Sequence, residues 1–160
     1  VYLNTKIDKV DLEKREVYIG GETVQGDILI STIALDELME NCYGELRYMG
    51  RDFYKIVLPT ERVFEKNHHY MYYPNQEQFT RIVEYKNLTG HQADSTLLVM
   101  EIPSHKNRLY SYNIRSELDR AAKYISSLPN HAYAIGRLGT YQYLNINQCI
   151  DMVTELMGRL

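Results

Sequence analysis

Tryptophan is absent from these 160 residues, proline occurs four times, and cysteine only at Cys42 and Cys149. Two cysteines far apart, with no CxxC spacing, exclude a disulfide framework and a cysteine-rich zinc site. Both thiols are expected to be buried and reduced, in a cytoplasmic setting. No apolar run approaches the roughly 20 residues that a membrane-spanning helix needs, and no signal peptide opens the chain. The balance of 18 Lys and Arg against 21 Asp and Glu gives a net charge of −3. That leaves no basic surplus for a nucleic-acid backbone. An anionic ligand therefore needs a local cluster of arginine and backbone N–H groups. The Gly-rich GxGxxG loop of a dinucleotide-binding βαβ unit is also missing.

What the chain has in excess is tyrosine: 15 Tyr against 3 Phe. A phenol joins an apolar ring to a polar tip, which suits half-buried sheet faces and polar clefts alike. With 44% hydrophobic and 24% charged residues the composition is that of a globular protein. The chain opens abruptly on Val1–Lys6, with no initiator Met, and reads as a segment of a longer protein.

Alternation predicts strands at residues 1–8, Arg15–Ile19 and Glu22–Gln25, with Gly20-Gly21 as a hairpin turn. Asp27–Thr32 reads as a strand buried on both faces. Leu35, Leu38 and Met39 mark a short helix. Residues 52–64, His69–Tyr73, Phe79–Tyr85 and Thr96–Ile102 read as long antiparallel strands, the last ended by Pro103. Ser116–Ser127 has helical spacing, and His131–Ile135 is a short strand. Asn147–Leu160 is expected as a final helix with Ile150, Val153, Leu156 and Met157 on its inner stripe. The fold class is therefore α+β, mostly antiparallel sheet with a few helices, closing on a strand–turn–helix.

Two features bear on chemistry, and two others do not. Gly136-Arg137-Leu138-Gly139-Thr140-Tyr141-Gln142-Tyr143-Leu144-Asn145-Ile146-Asn147 joins a strand to a helix N-terminus through glycines that permit close backbone approach. Arg137 adds a guanidinium, so the segment suits a pyrophosphate or the electron-rich edge of a ring system. Arg81 lies inside an apolar strand and needs a partner: a ligand phosphate, Glu84 or another carboxylate. Adjacent His68 and His69 point to opposite faces of a strand, so they do not argue for a metal. The sequon Asn87-Leu88-Thr89 reads as a chance occurrence.

The stretch Gly136–Tyr143 resembles the flavin-binding segment GRLGxYxYLDMD of the UDP-galactopyranose mutase family. Phe79–Lys86 is similar to its YTRITEHK strand, and Tyr112-Asn113-Ile114-Arg115 to its YPIR segment. Asp27–Thr32 is similar to the strand returning from its flavin domain. The resemblance implies an isomerase that interconverts UDP-galactopyranose and UDP-galactofuranose through a reduced-flavin–sugar adduct, with FAD as cofactor and a UDP-sugar as substrate. It implies FAD contacts from Gly136, Arg137, Tyr143, Leu144, Asn145 and Ile146. It implies diphosphate contacts from Arg81, Tyr112 and Tyr143, with Arg81 also catalytic. It assigns residues 1–34 and 129–160 to the flavin domain and 35–128 to the substrate domain, makes the chain the C-terminal part of its parent, and is compatible with a homodimer. The family's LDMD reads Leu144-Asn145-Ile146-Asn147 here, so two carboxylates are replaced by amides; Asn145 can still cap the helix. The tyrosine-rich strand at His69–Asn75 departs from the family pattern. It is shared with flavin oxidoreductases of the amine-oxidase and protoporphyrinogen-oxidase type, one alternative; a non-catalytic sugar-nucleotide binder is another.

Overall fold

A computed structural model describes all 160 residues. Along the chain run β1 (Lys9–Asp11), β2 (Glu16–Ile19), β3 (Glu22–Gln25), β4 (Leu29–Ser31) and α1 (Leu35–Leu38). Then come β5 (Tyr48–Leu58), β6 (Tyr70–Tyr72), β7 (Arg81–Glu84), α2 (Tyr85–Thr89) and β8 (Thr96–Ser104). The rest is β9 (Tyr110–Ser111), α3 (Arg115–Ser126), β10 (Ala132–Ala134), α4 (Gly136–Gly139) and α5 (Ile146–Met157). The architecture is α+β with mostly antiparallel pairing. No helix is long and apolar enough to cross a membrane. The chain forms two compact units: Val1–Arg47 with Tyr110–Leu160, and Tyr48–Leu109.

In the first unit, β1, β2 and β3 form an antiparallel meander. Gly20 and Gly21 both have positive φ and join β2 to β3 with Ile19 opposite Glu22, as a two-residue hairpin requires. β4 and β10 pair in parallel, Leu29 with Ala132 to Ser31 with Ala134. Leu35, Leu38, Ala121, Tyr124, Ala132 and Leu156 are buried around α1 and α3. Asn145 caps α5 in a capping box: its side chain accepts from the Gln148 amide, and Gln148 Oε1 accepts from the Asn145 N–H at 2.7 Å. Two N-terminal amides of α5 are thus already used.

Several expectations for this unit change. Residues 1–8 form no strand; the first bond toward β2 is Asp8 N–H to the Tyr18 carbonyl, and alternation without a ladder partner leaves Val1–Leu3 exposed. Ile28 and Ile30 are exposed, so β4 is not buried on both faces. Ile150, Val153 and Met157 are exposed too, and of the supposed inner stripe only Leu156 is buried. Cys42 sits exposed in the turn after α1 and Cys149 is half-buried on α5, so neither is a core thiol.

In the second unit the strands run in the order β6-β7-β8-β5, every pair antiparallel. Strand β8 continues through Pro103 to Ser104, contrary to expectation. Its pairing with β7 ends at Glu101, so the missing Pro103 N–H interrupts no rung on that side. The alternation through Tyr85 also stops early, because Tyr85–Thr89 turns into α2, closed by Gly90 in the left-handed region.

Glu84 is wholly buried (0% exposed) beneath this sheet. Burial by itself raises its pKa. The Thr96 hydroxyl at 2.6 Å, the Phe64 and Val63 amides at 2.7 and 3.0 Å, and the Arg62 charge outweigh that and leave it below the usual carboxylate range. The Asn87 side-chain amide donates to Glu84 and to the carbonyls of Glu65 and His68, so the sequon asparagine is engaged in the fold. With the folded pKa below the unfolded one, the Glu84 carboxylate contributes stability present above the unfolded value and lost as pH falls through the folded value. Glu84→Gln is therefore expected to be less stable than wild type at neutral pH, the gap closing below about pH 4. Urea unfolding of both proteins from pH 7 to 2 checks this. Asp11 and Asp52 also have lowered pKa values, and the difference between the two proteins cancels their contribution.

Candidate functional site

In the first unit the segment after β10 turns through the single-turn helix α4 rather than an irregular tight turn. Gly136 has φ +74°, which favours glycine, and a Cβ there would meet nothing within 4 Å. The backbone is open on that side to close approach of a ligand. Gly139 has the opposite reason: a Cβ would lie 3.0 Å from the Ser31 carbonyl on β4.

Arg137 leaves this turn beside two rings. Its guanidinium stands 4.8 Å from the Tyr143 centroid and 5.7 Å from that of Tyr110. The rings themselves are stacked, 5.6 Å apart at 26°. Arg137 Nε donates to the Leu144 carbonyl. A guanidinium so placed has a fixed direction and no carboxylate partner, so its charge remains available to an anion or an electron-rich ring. Beside it Arg137, Leu144, Ile146, Cys149, Ile150 and Val153 line an open, mainly apolar cavity of about 410 Å³. Leu144 is buried, whereas Tyr143, Asn145 and Ile146 are exposed. The Tyr112 N–H donates to the Tyr141 hydroxyl at 3.1 Å, and the Arg47 guanidinium lies 4.7 Å over the Tyr112 ring.

Arg81 belongs to the second unit, on β7, with Tyr72 opposite on β6 and Glu101 opposite on β8. The sequence left its partner open among a ligand, Glu84 and another carboxylate. The partner is Glu101, 1% exposed, at 2.8 Å from Arg81 Nε. Arg51 Nη1 reaches the same carboxylate oxygen at 3.1 Å and also donates to Thr80. The bond to Glu101 raises the Arg81 pKa above its ordinary value, against burial, so the group is a permanent cation. Two guanidinium groups thus share one buried carboxylate.

Arg137, Tyr143 and Leu144 are thus brought together as the sequence anticipated, along with Tyr110, which it did not single out. Tyr110 and Tyr112 are spaced like Tyr141 and Tyr143, and the two Y-x-Y pairs meet through the Tyr110–Tyr143 stack and the Tyr112–Tyr141 bond. Glu101 was also missed; its signal was a lone carboxylate within the apolar run Thr96–Ile102.

The family described as UDP-galactopyranose mutase matches residues 1–143. The chain belongs to the UDP-galactopyranose mutase family. Its fold is similar to that in the solved structure titled "Crystal structure of reduced UDP-Galactopyranose mutase", with a TM-score of 0.73 at 16% identity. That likeness covers 97% of this chain and 46% of the other, so the chain spans under half the length of this mutase. No curated protein matches it. The family match ends at Tyr143, just before the two asparagines that replace the family's carboxylates.

Proposed function

We propose that this chain serves an isomerase that interconverts UDP-galactopyranose and UDP-galactofuranose on reduced FAD in the cytoplasm. The observation that carries the reading is Arg137 held against the stacked Tyr110 and Tyr143 rings, beside a Gly136 whose missing side chain leaves clear space. Those residues fit a flavin: glycine admits it, the guanidinium faces an electron-rich edge, and Leu144 with the exposed Asn145 and Ile146 completes the wall. When bound, reduced FAD supplies the nucleophile for the sugar's anomeric carbon; the chain's own side chains orient and hold. Residues 1–34 and 129–160 form the flavin side in this reading, and 35–128 the substrate side. Tyr112 and Tyr143 are phosphate-holding phenols. Arg81 is a diphosphate-binding cation backed by Glu101, and acts in catalysis by stabilising charge on the departing UDP.

Calorimetric titration of the 160-residue chain with UDP tests this. Arg81→Lys keeps a cation beside Glu101 but removes the planar fork, and Tyr143→Phe removes a hydroxyl. Each is expected to weaken UDP binding by about tenfold, the worth of one charge-assisted hydrogen bond. UDP affinity unchanged in both variants would contradict the reading and favour a flavin oxidoreductase, whose substrate carries no diphosphate.

A further inference from the structure

The first unit runs from Val1 to Arg47, is left by the chain, and resumes at Tyr110. Its exit segment, Tyr43–Arg47, is neither helix nor strand. Irregular backbone must find hydrogen-bond partners outside a ladder. Here buried and half-buried side chains supply them. The Tyr124 hydroxyl accepts from the Tyr43 N–H and donates to the Gly44 carbonyl. Arg120 donates to the Glu45 carbonyl. Asp36 accepts from the Leu46 N–H at 2.9 Å, and Glu117 from the Arg47 N–H at 3.0 Å.

The last bond of this series differs from the others because it comes from the site-bearing turn. Tyr141 is 1% exposed, and its hydroxyl donates to the Arg47 carbonyl while accepting from the Tyr112 N–H. The same Arg47 lays its guanidinium on the Tyr112 ring. One phenol therefore bonds the backbone of both members of that pair, which a longer bond from the Tyr112 N–H to the Arg47 carbonyl, 3.3 Å, also joins directly. Two residues along, Tyr143 stacks on Tyr110, which lies two residues before Tyr112. Tyr141 also has φ +53°, a left-handed conformation that is unfavourable for a non-glycine residue. Such a conformation persists where surrounding contacts over-determine it.

We propose that Tyr141 is a positioning residue: its buried hydroxyl locks Tyr112 to the Arg137–Tyr143 turn, so that the two phosphate-holding phenols keep a fixed spacing. This rests on the assignment of Tyr112 and Tyr143 to a nucleotide diphosphate. Tyr141 itself is buried and acts through Tyr112.

The test is Tyr141→Phe, which keeps the ring and removes only the hydroxyl. Tyr124→Phe is the control, because it removes an equally buried hydroxyl from the same exit segment without a bond to Tyr112. Two readouts on the 160-residue chain are compared, hydrogen exchange at the Tyr112 amide and calorimetric affinity for UDP. Tyr141→Phe is expected to speed Tyr112 exchange and weaken UDP binding, each by about fivefold, the net worth of one hydrogen bond. Tyr124→Phe should destabilise the fold yet leave UDP affinity within about twofold, as for a distant independent site. Unchanged Tyr112 exchange in Tyr141→Phe would overturn the lock. Faster exchange with unchanged UDP affinity, or equal affinity losses in both variants, would overturn the positioning role. A wild-type chain that binds no UDP would sink the nucleotide assignment and the positioning role with it, even if Tyr112 exchange still responded.

Discussion

Glu101→Ala is expected to lower the stability of the chain by about 3 kcal/mol, the low end of the cost of breaking a buried ion pair by removing one partner. Glu101 is 1% exposed and the common partner of Arg81 and Arg51 on adjoining strands. Without it, the Arg81 and Arg51 guanidinium groups repel each other across β8 without the carboxylate they share. Their side chains are 28% and 24% exposed, so water relieves part of the repulsion, which is why the low end applies. Glu101→Gln retains an acceptor and should fall between alanine and wild type. The midpoint of urea unfolding, at unchanged slope, reads the effect. A loss under about 1 kcal/mol would place this pair among exposed surface bridges.

Lys86→Met is the second large effect. The Lys86 ammonium is held within the second unit by three carbonyls, those of Glu61 and Ala93 at 2.7 Å and Ser95 at 2.9 Å, on a residue 8% exposed. Methionine fills similar volume but donates nothing, and strands three part-buried acceptors. Hydrogen bonds to a charged group contribute about 1.5–3 kcal/mol each and do not add fully, so a loss of about 3 kcal/mol is expected. In thermal unfolding that corresponds to a fall of roughly 6–12 °C for a chain of this size. Hydrogen exchange should quicken first around Glu61 and Ala93–Ser95. A fall under about 2 °C would mean the loops hold without the lysine, contradicting its role.

Much of this fold was legible in local pattern. Glu22–Gln25, the Gly20-Gly21 turn and the helix ending near Ser127 needed only turn chemistry and periodicity. The site turn was legible because its glycines and arginine are consecutive. What pattern could not convey was partnership. Residues 1–8 alternate as a strand does, but alternation names a face and supplies no neighbour. Ile150, Val153 and Met157 are spaced for burial, yet periodicity does not say what covers them. Pro103 looked like a strand end because the sequence does not show where β7 begins. Glu101 and Tyr141 escaped for one reason: each acts on residues at least 20 positions away, Arg81 and Tyr112 among them.

The central claim is that the turn carrying Arg137 and Tyr143, with Tyr112 beside it, holds a nucleotide diphosphate. An amide NMR titration of the 160-residue chain with UDP tests it most directly. The resonances of Tyr112 and Tyr143 are expected to move together along one saturating curve. Saturable binding that leaves both in place would contradict the account.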